Sequence, residues 1–339
     1  MTISVCMIVK NEEAVLARCL DCLKDIADEI IIVDTGSSDS TKKIAATYTD
    51  KVYDFEWIND FAAARNYAFS LATMDYIYSA DADEMIDDVN RQKFKILKAS
   101  LLPEIEIVQM KYGNQLENGT VYNFDEEYRP KLFKRLREFT WIEPVHEQVR
   151  LDPVVFDSDI VITHKPHDVH AGRDIAIFRE KLEAGAELSP RLWDMFAKEL
   201  FIAGTDEELV SCCGLFKDYE LNPMDENLHM VVCTVAARAS RIAGNQTDFF
   251  KYAVKVLAGS EGCSEICYEM GLFHEKAGDY AEAQIWFYNA AYETEPVIKL
   301  SSHTTDPLEH LIKVCEARGD LTQAAFYKNE LEARKNVGR

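Results

Sequence analysis

The segment with the most direct chemical potential is Asp81-Ala82-Asp83-Glu84, which follows the apolar run Tyr76–Ser79. That run reads as a buried strand. Side chains alternate along a strand, so Asp81 and Asp83 would share one side if extended geometry persists beyond it. Two carboxylates on one side suit a hard divalent cation, Mg2+ or Mn2+, with the remaining positions left to phosphate oxygens and water. Acidic triplets are common on solvated loops. What favours a site here is register: Asp34 also follows an apolar run, Glu29–Val33 (EIIIV), and Asn11 follows a third, Ile3–Val9.

These residues need elements to position them. Helical spacing of apolar residues over Glu12–Leu23 and Ser40–Tyr48, a short strand Lys51–Phe55 and a small-residue helix Phe61–Leu71 alternate with the three apolar runs. Such alternation predicts a parallel sheet covered on both faces, with ligands beyond the carboxyl ends of its strands. From Ile105 to Ile162 the pattern is mixed, with strands around Ile105–Tyr112, Thr120–Phe124, Lys131–Phe133 and Ile160–Ile162. From Asp174 onward everything reads as helix. Gly204, Gly244, Gly278 and Gly319 each separate two amphipathic helices. The third unit, with Gly271, Gly278, Tyr280, Ala283, Phe287, Ala290 and Pro296, matches a tetratricopeptide helix pair, whose small residues let two helices approach closely. The other units match in part, and an unrelated helical bundle is the competing reading. The boundary is expected near His170–Asp174, giving units 1–172 and 173–339. The final helix, Gln323–Lys335, would cap the array or pair with a second copy, so the oligomeric state stays open.

Composition narrows the classes. The chain has 339 residues, 37 basic and 59 acidic, for a net charge of −22. That balance argues against nucleic acid and against an anionic membrane surface, both met with excess Lys and Arg. The first residues are too quickly charged for a signal peptide, and no stretch reaches the roughly 18 apolar residues of a membrane span. The nine cysteines show no regular framework. Cys19-x-x-Cys22 sits in a helical pattern without a second ligand pair, and Cys212-Cys213 is vicinal, so buried free thiols in a reducing cytoplasm are expected. No glycine-rich dinucleotide loop or P-loop is present. Gly36-Ser37-Ser38-Asp39 reads equally as a phosphate-binding turn and as a loop capping the next helix.

In order along the chain, IVKNEE, IIIVDTGSSDST, FAAARNYA and YSADADE resemble glycosyltransferase family 2, the inverting nucleotide-sugar transferases of GT-A fold. The resemblance continues through Arg129–Phe133 and Trp141–Glu147 (WIEPVHE). It is similar to the bacterial branch whose catalytic domain precedes tetratricopeptide-like helices, a branch that includes enzymes acting on peptides and proteins. The fold it implies is an α/β GT-A, Rossmann-like nucleotide-sugar-binding domain followed by an all-α tetratricopeptide-like domain.

The resemblance also implies roles. Val9, Asn11 and Glu12 would line the nucleotide pocket, partly through backbone groups, and Asp34 would accept a hydrogen bond from the base. Arg65 would lie near the nucleotide and diphosphate, against the alternative of a helix-surface ion pair. Asp81 and Ala82 would stand at the donor, Asp81 reaching the ribose or a metal-bound water, and Asp83 would bind the metal. His164 would complete that metal site, with His167 and His170 as competitors. An inverting transfer needs a general base, for which Glu147 is favoured with His146 beside it. Glu143 is the rival base, and a structural pairing of Glu147 with Arg129 or Lys131 is the alternative.

The expected activity is a Mn2+- or Mg2+-dependent transfer of a hexose or N-acetylhexosamine from a UDP-sugar to a protein or peptide side chain. GlcNAc and glucose are expected because they are frequent in the family, and flagellin or a secreted peptide would be such an acceptor. A cell-envelope or lipid-linked saccharide is the other acceptor class. A non-enzymatic scaffold with a decayed transferase domain, and a nucleotide-sugar hydrolase or nucleotidyltransferase, are the competing functions.

Overall fold

The computed structural model describes residues 1–113, 127–137, 139–149, 153–165, 171–218, 225–259 and 262–337. It divides into two compact units, residues 1–170 and 171–339. The expected strand Thr120–Phe124, His167 and His170 lie outside the described residues.

In the first unit β1 (Ile3–Val9), β2 (Glu29–Asp34), β3 (Val52–Asp54) and β4 (Tyr76–Ala80) form a parallel block. Along β1 side chains alternate between two cores. Val5, Met7 and Val9 face one with Leu16 and Leu20 of α1 (Leu16–Leu23), while Cys6 faces the other with Ala68 and Phe69 of α3 (Phe61–Ser70). Burial on both faces is why these strands are near-continuous apolar runs. Helix α1 starts at Leu16, four residues later than the periodicity predicts. The amides of Glu12 and Glu13 are taken by Thr41 Oγ1 (2.7 Å) and Asp39 Oδ2 (3.1 Å) and form a turn instead.

The expectation of a parallel sheet is corrected beyond β4. The full order is β3-β2-β1-β4-β7-β6-β10-β5, adding β5 (Glu84–Met85), β6 (Ile107–Gly113), β7 (Glu127–Lys134) and β10 (Val155–His164). Here β7 runs antiparallel to both β4 and β6, and β5 antiparallel to β10, so the sheet is mixed. Apolar spacing marks a strand but carries no direction. A separate ribbon pairs β8 (Trp141–Ile142) with β9 (Gln148–Val149).

Glu29 anchors the start of β2. Buried, it accepts hydrogen bonds from Ser4 Oγ, Lys51 Nζ and both the amide and hydroxyl of Thr73 (2.9 Å each). Burial alone would push its carboxyl up, but these donors outweigh it and hold it at about 2, against an ordinary 4.5. A depressed folded-state value means the stabilisation is fully present above pH ~4.5 and lost as pH falls through about 2. Its size is at most roughly 3 kcal/mol. Urea midpoints measured from pH 5 to 2 are expected to fall more steeply for the wild type than for Glu29→Gln; equal slopes would remove Glu29 as the cause.

The second unit is helical from α5 (Ala171–Glu183) to the end. Helix pairs meet at each of the four glycines: α6 (Pro190–Ala203) with α7 (Asp206–Asp218), α8 (Glu226–Ile242) with α9 (Gln246–Gly259), α10 (Ser264–Lys276) with α11 (Tyr280–Tyr288), and α13 (Asp306–Ala317) with α14 (Leu321–Val337). The short α12 (Ser301–Thr304) precedes the last pair. After each glycine the next residue caps the second helix: Thr205, Asn245, Asp279 and Asp320 accept from the amide three residues on. Gly244, Gly278 and Gly319 have φ of +73°, +78° and +78°, the left-handed conformation that closes a helix. Gly271 has a different reason: a Cβ there would lie 2.5 Å from the Phe287 ring, which packs across α10. Gly271→Ala is therefore expected to cost about 1–3 kcal/mol by overpacking, read as a lower urea midpoint. No described helix is long and apolar enough to cross a membrane. Cys19 and Cys22 are free thiols, as are Cys6, Cys212, Cys233, Cys263, Cys267 and Cys315.

Candidate functional site

The parallel register sets the site. Val9 stands opposite Asp34 and Met7 opposite Ala80, so the loops after β1, β2 and β4 leave the sheet side by side. The loop after β1 is stitched to the loop after β2. Asn11, with φ of +56°, donates its amide to Ser37 Oγ (2.9 Å) and accepts from Ser38 N (2.8 Å). The Val9 carbonyl accepts from Thr35 N (2.9 Å). Gly36 and Ser37 donate their amides to Asp34 Oδ2 (3.1 and 2.9 Å). Those amides are already engaged, so the Gly36–Asp39 segment serves as a structural loop rather than a phosphate cradle, and Asp39 Oδ1 accepts from Thr41 N (2.9 Å). Asp34 is 2% exposed, and its Oδ1 is buried with no hydrogen-bond partner among the described residues.

After β4 the extended geometry does not persist. The strand ends at Ala80, and a tight turn follows in which Glu84 donates its amide to the Asp81 carbonyl (3.2 Å). Asp81 and Asp83 are consequently held by different partners, which corrects the shared-side expectation. Asp81 Oδ1 accepts from Arg65 (2.8 Å), and its Oδ2 lies 3.4 Å from Lys131 Nζ. Asp83 Oδ2 faces His164 Nε2 at 2.9 Å. That pair is built by the backbone: β5 and β10 pair in register at Glu84 and His164, and Lys165 donates its amide to the Asp83 carbonyl (3.0 Å). The Tyr112 ring packs against His164 (5.4 Å), and Arg129 lies over Tyr112 on its own side (4.0 Å). Ala82 is buried within the turn.

Arg65 projects from α3, whose N-terminus is capped by Asp60. Its side chain is only 13% exposed, which overturns the helix-surface reading. It donates to Asp81, to Ser79 Oγ (3.0 Å) and, through Nε, to Glu147. Arg129 and Lys131, the alternative partners of Glu147, are engaged elsewhere: Arg129 with Glu127, Lys131 with Glu84, Asp81 and the Ser79 carbonyl. The Trp141–Glu147 segment is fixed by Asn66, which bonds both the amide (2.8 Å) and the carbonyl (2.9 Å) of Trp141, and by the Phe61 amide on the Pro144 carbonyl (2.9 Å). Glu143 and His146 both adopt positive φ, +72° and +50°, and both are half-buried.

Two charges beside Asp81 that the sequence names without a role at the site, Glu84 and Lys131, are both buried. Burial pushes the Glu84 carboxyl up; Lys131 opposes this, Asp81 adds to it, and the result is about 7. Burial acts the same way on Asp81, but Arg65 and Lys131 overcome it and hold that carboxyl well below the usual range. The signal for Lys131 was its place between Pro130 and the apolar pair Leu132-Phe133 of a strand.

The first unit is thus an α/β domain whose carboxylates, imidazole and guanidinium gather beyond its strand ends, followed in the chain by a unit of paired helices. Residues 4–144, within the first unit, match the model of glycosyl transferase family 2. The chain is 28% identical to glycosyltransferase SunS of Bacillus subtilis, over 62% of this chain and 51% of that one. It is 34% identical to an uncharacterized glycosyltransferase of Rickettsia typhi over 33% and 40%, and 49% identical to a TPR repeat-containing protein of Synechococcus elongatus over 24% and 20%. The chain thus spans about half, or less, of the length of these curated relatives. Among solved structures it is similar to glucosyl-3-phosphoglycerate synthase from Mycobacterium tuberculosis in complex with Mn2+, UDP and phosphoglyceric acid. That match has a TM-score of 0.42 and 16% identity, covering 56% of this chain and 80% of that one.

Proposed function

We propose that the chain is an inverting, metal-dependent glycosyltransferase that takes a UDP-sugar, GlcNAc or glucose, to a protein or peptide side chain in the cytoplasm. The observation that carries the donor reading is Asp34: one carboxylate oxygen satisfied by two backbone amides, the other buried without a partner at the edge where ligands bind. An unpaired buried acceptor is costly, and a base N–H such as uracil N3–H would satisfy it. Asn11 and Glu12 would border the same pocket.

Asp83 and His164 offer a carboxylate oxygen and an imidazole nitrogen already facing each other, a donor pair that fits Mn2+ better than Mg2+, which takes oxygen ligands. Such a cation, when bound, supplies Lewis-acid neutralisation of the departing diphosphate. The chain's own groups would do the rest. Asp81 would orient the donor, and Glu147, beside His146, would take the proton of the attacking hydroxyl or thiol. The paired helices of residues 171–339 would offer an extended surface suited to a polypeptide acceptor. Free buried thiols support a reducing compartment.

The test is UDP release from a panel of UDP-sugars with and without Mn2+. Release from one sugar, stimulated by metal, is expected. Glu147→Gln is expected to lose transfer by roughly 10²–10⁴-fold, the usual share of a general base. Normal turnover in that variant would move the role to Glu143. Absence of both UDP-sugar binding and release would discard the transferase reading in favour of a scaffold.

A further inference from the structure

Arg65 serves two carboxylates that the proposed reaction assigns to different substrates: Asp81 on the donor side and Glu147 on the acceptor side. Three of its N–H groups are spent on Asp81, Ser79 and Glu147, and the Trp141 ring lies 5.3 Å from the guanidinium. A carboxylate locked to a guanidinium is a poor base, because the cation favours its charged form and occupies its lone pairs. In this arrangement Arg65 Nε occupies one oxygen of the Glu147 carboxylate.

The charge balance shows what would release it. Asp81, Glu84 and Glu147 share two cations, Arg65 and Lys131. A diphosphate adds further negative charge, and Lys131 is committed beneath the turn to Glu84 and the Ser79 carbonyl. Turning the Arg65 guanidinium toward that charge weakens its hold on a carboxylate. Asp81 is the better held, since Lys131 also lies 3.4 Å away and the Glu84 side chain accepts its amide (3.2 Å). Glu147 sits next to His146, which with Glu143 occupies the left-handed backbone region, where non-glycine residues carry strain. A strained segment moves at lower cost than a strand end.

We infer that Arg65 is a donor-operated latch on Glu147: without donor it holds the carboxylate in an ion pair, and the donor diphosphate draws the guanidinium away and frees Glu147 for the acceptor proton. This rests on the UDP-sugar reading above. It makes donor binding precede productive acceptor binding, and Arg65 a residue that acts on the proton transfer through Glu147.

The latch has an unusual consequence, because removing the Glu147 charge relieves Arg65 of a competitor. Titration calorimetry with Mn2+ is expected to show UDP binding tightened about fivefold or more in both Glu147→Gln and Glu147→Ala, the size of an ordinary coupling between two sites. Uridine, which lacks the diphosphate, should bind all three proteins alike. Unchanged or weaker UDP binding in folded variants, with wild-type binding intact, overturns the latch and leaves the donor reading standing. No UDP binding by the wild type overturns the donor reading and the latch with it. Hydrogen exchange on the wild type covers a variant that fails to fold: UDP should speed exchange across residues 143–149, and equal or slower exchange overturns the latch.

Discussion

Asp83→Ala is expected to lose metal-stimulated UDP-sugar turnover by roughly 10³-fold or more, since Lewis-acid stabilisation is worth several kcal/mol and each ~1.4 kcal/mol is a decade of rate. The fold should survive. The Asp83 side chain reaches His164 at 2.9 Å but belongs to no hydrophobic cluster, and the backbone bond from the Lys165 amide to the Asp83 carbonyl does not need it. The β5–β10 pairing that presents His164 is likewise made by main chain. The measurement is a Mn2+ titration of UDP release beside a urea melt. A normal urea midpoint with lost turnover assigns the defect to the site. Wild-type turnover at trace metal would remove Asp83 from any metal role.

Asp83 could be read from sequence, and His164 from the family resemblance, whereas the Arg65–Glu147 pairing could not, and the reason is distance along the chain. The strands Ile3–Val9 and Glu29–Asp34 announce themselves because both faces are buried, and Asp34 at the end of the second and Asn11 two residues past the first then fall at the carboxyl ends. The joints at Gly244, Gly278 and Gly319 are equally local, each a left-handed glycine followed by a capping residue. Strand direction is not local. Nothing in Glu127–Lys134 distinguishes a strand antiparallel to β4 from a parallel one. The Arg65 bridge joins residues 16 and 82 positions away, and only the assembled sheet brings Ser79, Asp81 and Glu147 to one guanidinium. Sequence reasoning could name Arg65 and Glu147 separately. It could not see that each satisfies the other.

Lys131 carries the second large effect, and for a structural reason. It is buried beneath the Asp81–Glu84 turn and bonds Glu84, which is 2% exposed. Lys131→Met keeps most of the volume but removes the ammonium that Glu84, Asp81 and the Ser79 carbonyl share. Breaking one side of a buried ion pair typically costs ~3–5 kcal/mol, whereas replacing both sides by neutral groups of similar shape can be close to neutral. The single variant is therefore expected to lose about that much stability in urea unfolding, and Lys131→Met with Glu84→Gln to recover most of it. The recovery separates electrostatics from packing: if the double variant is as unstable as the single one, Lys131 matters for its shape and not its charge. Asp81 gives a second readout, because its bond from Arg65 (2.8 Å) does not involve Lys131. UDP affinity should then follow the stability of the turn, impaired in the single variant and largely restored in the double. A double variant that is stable yet blind to UDP would place the Lys131 charge itself in the donor site.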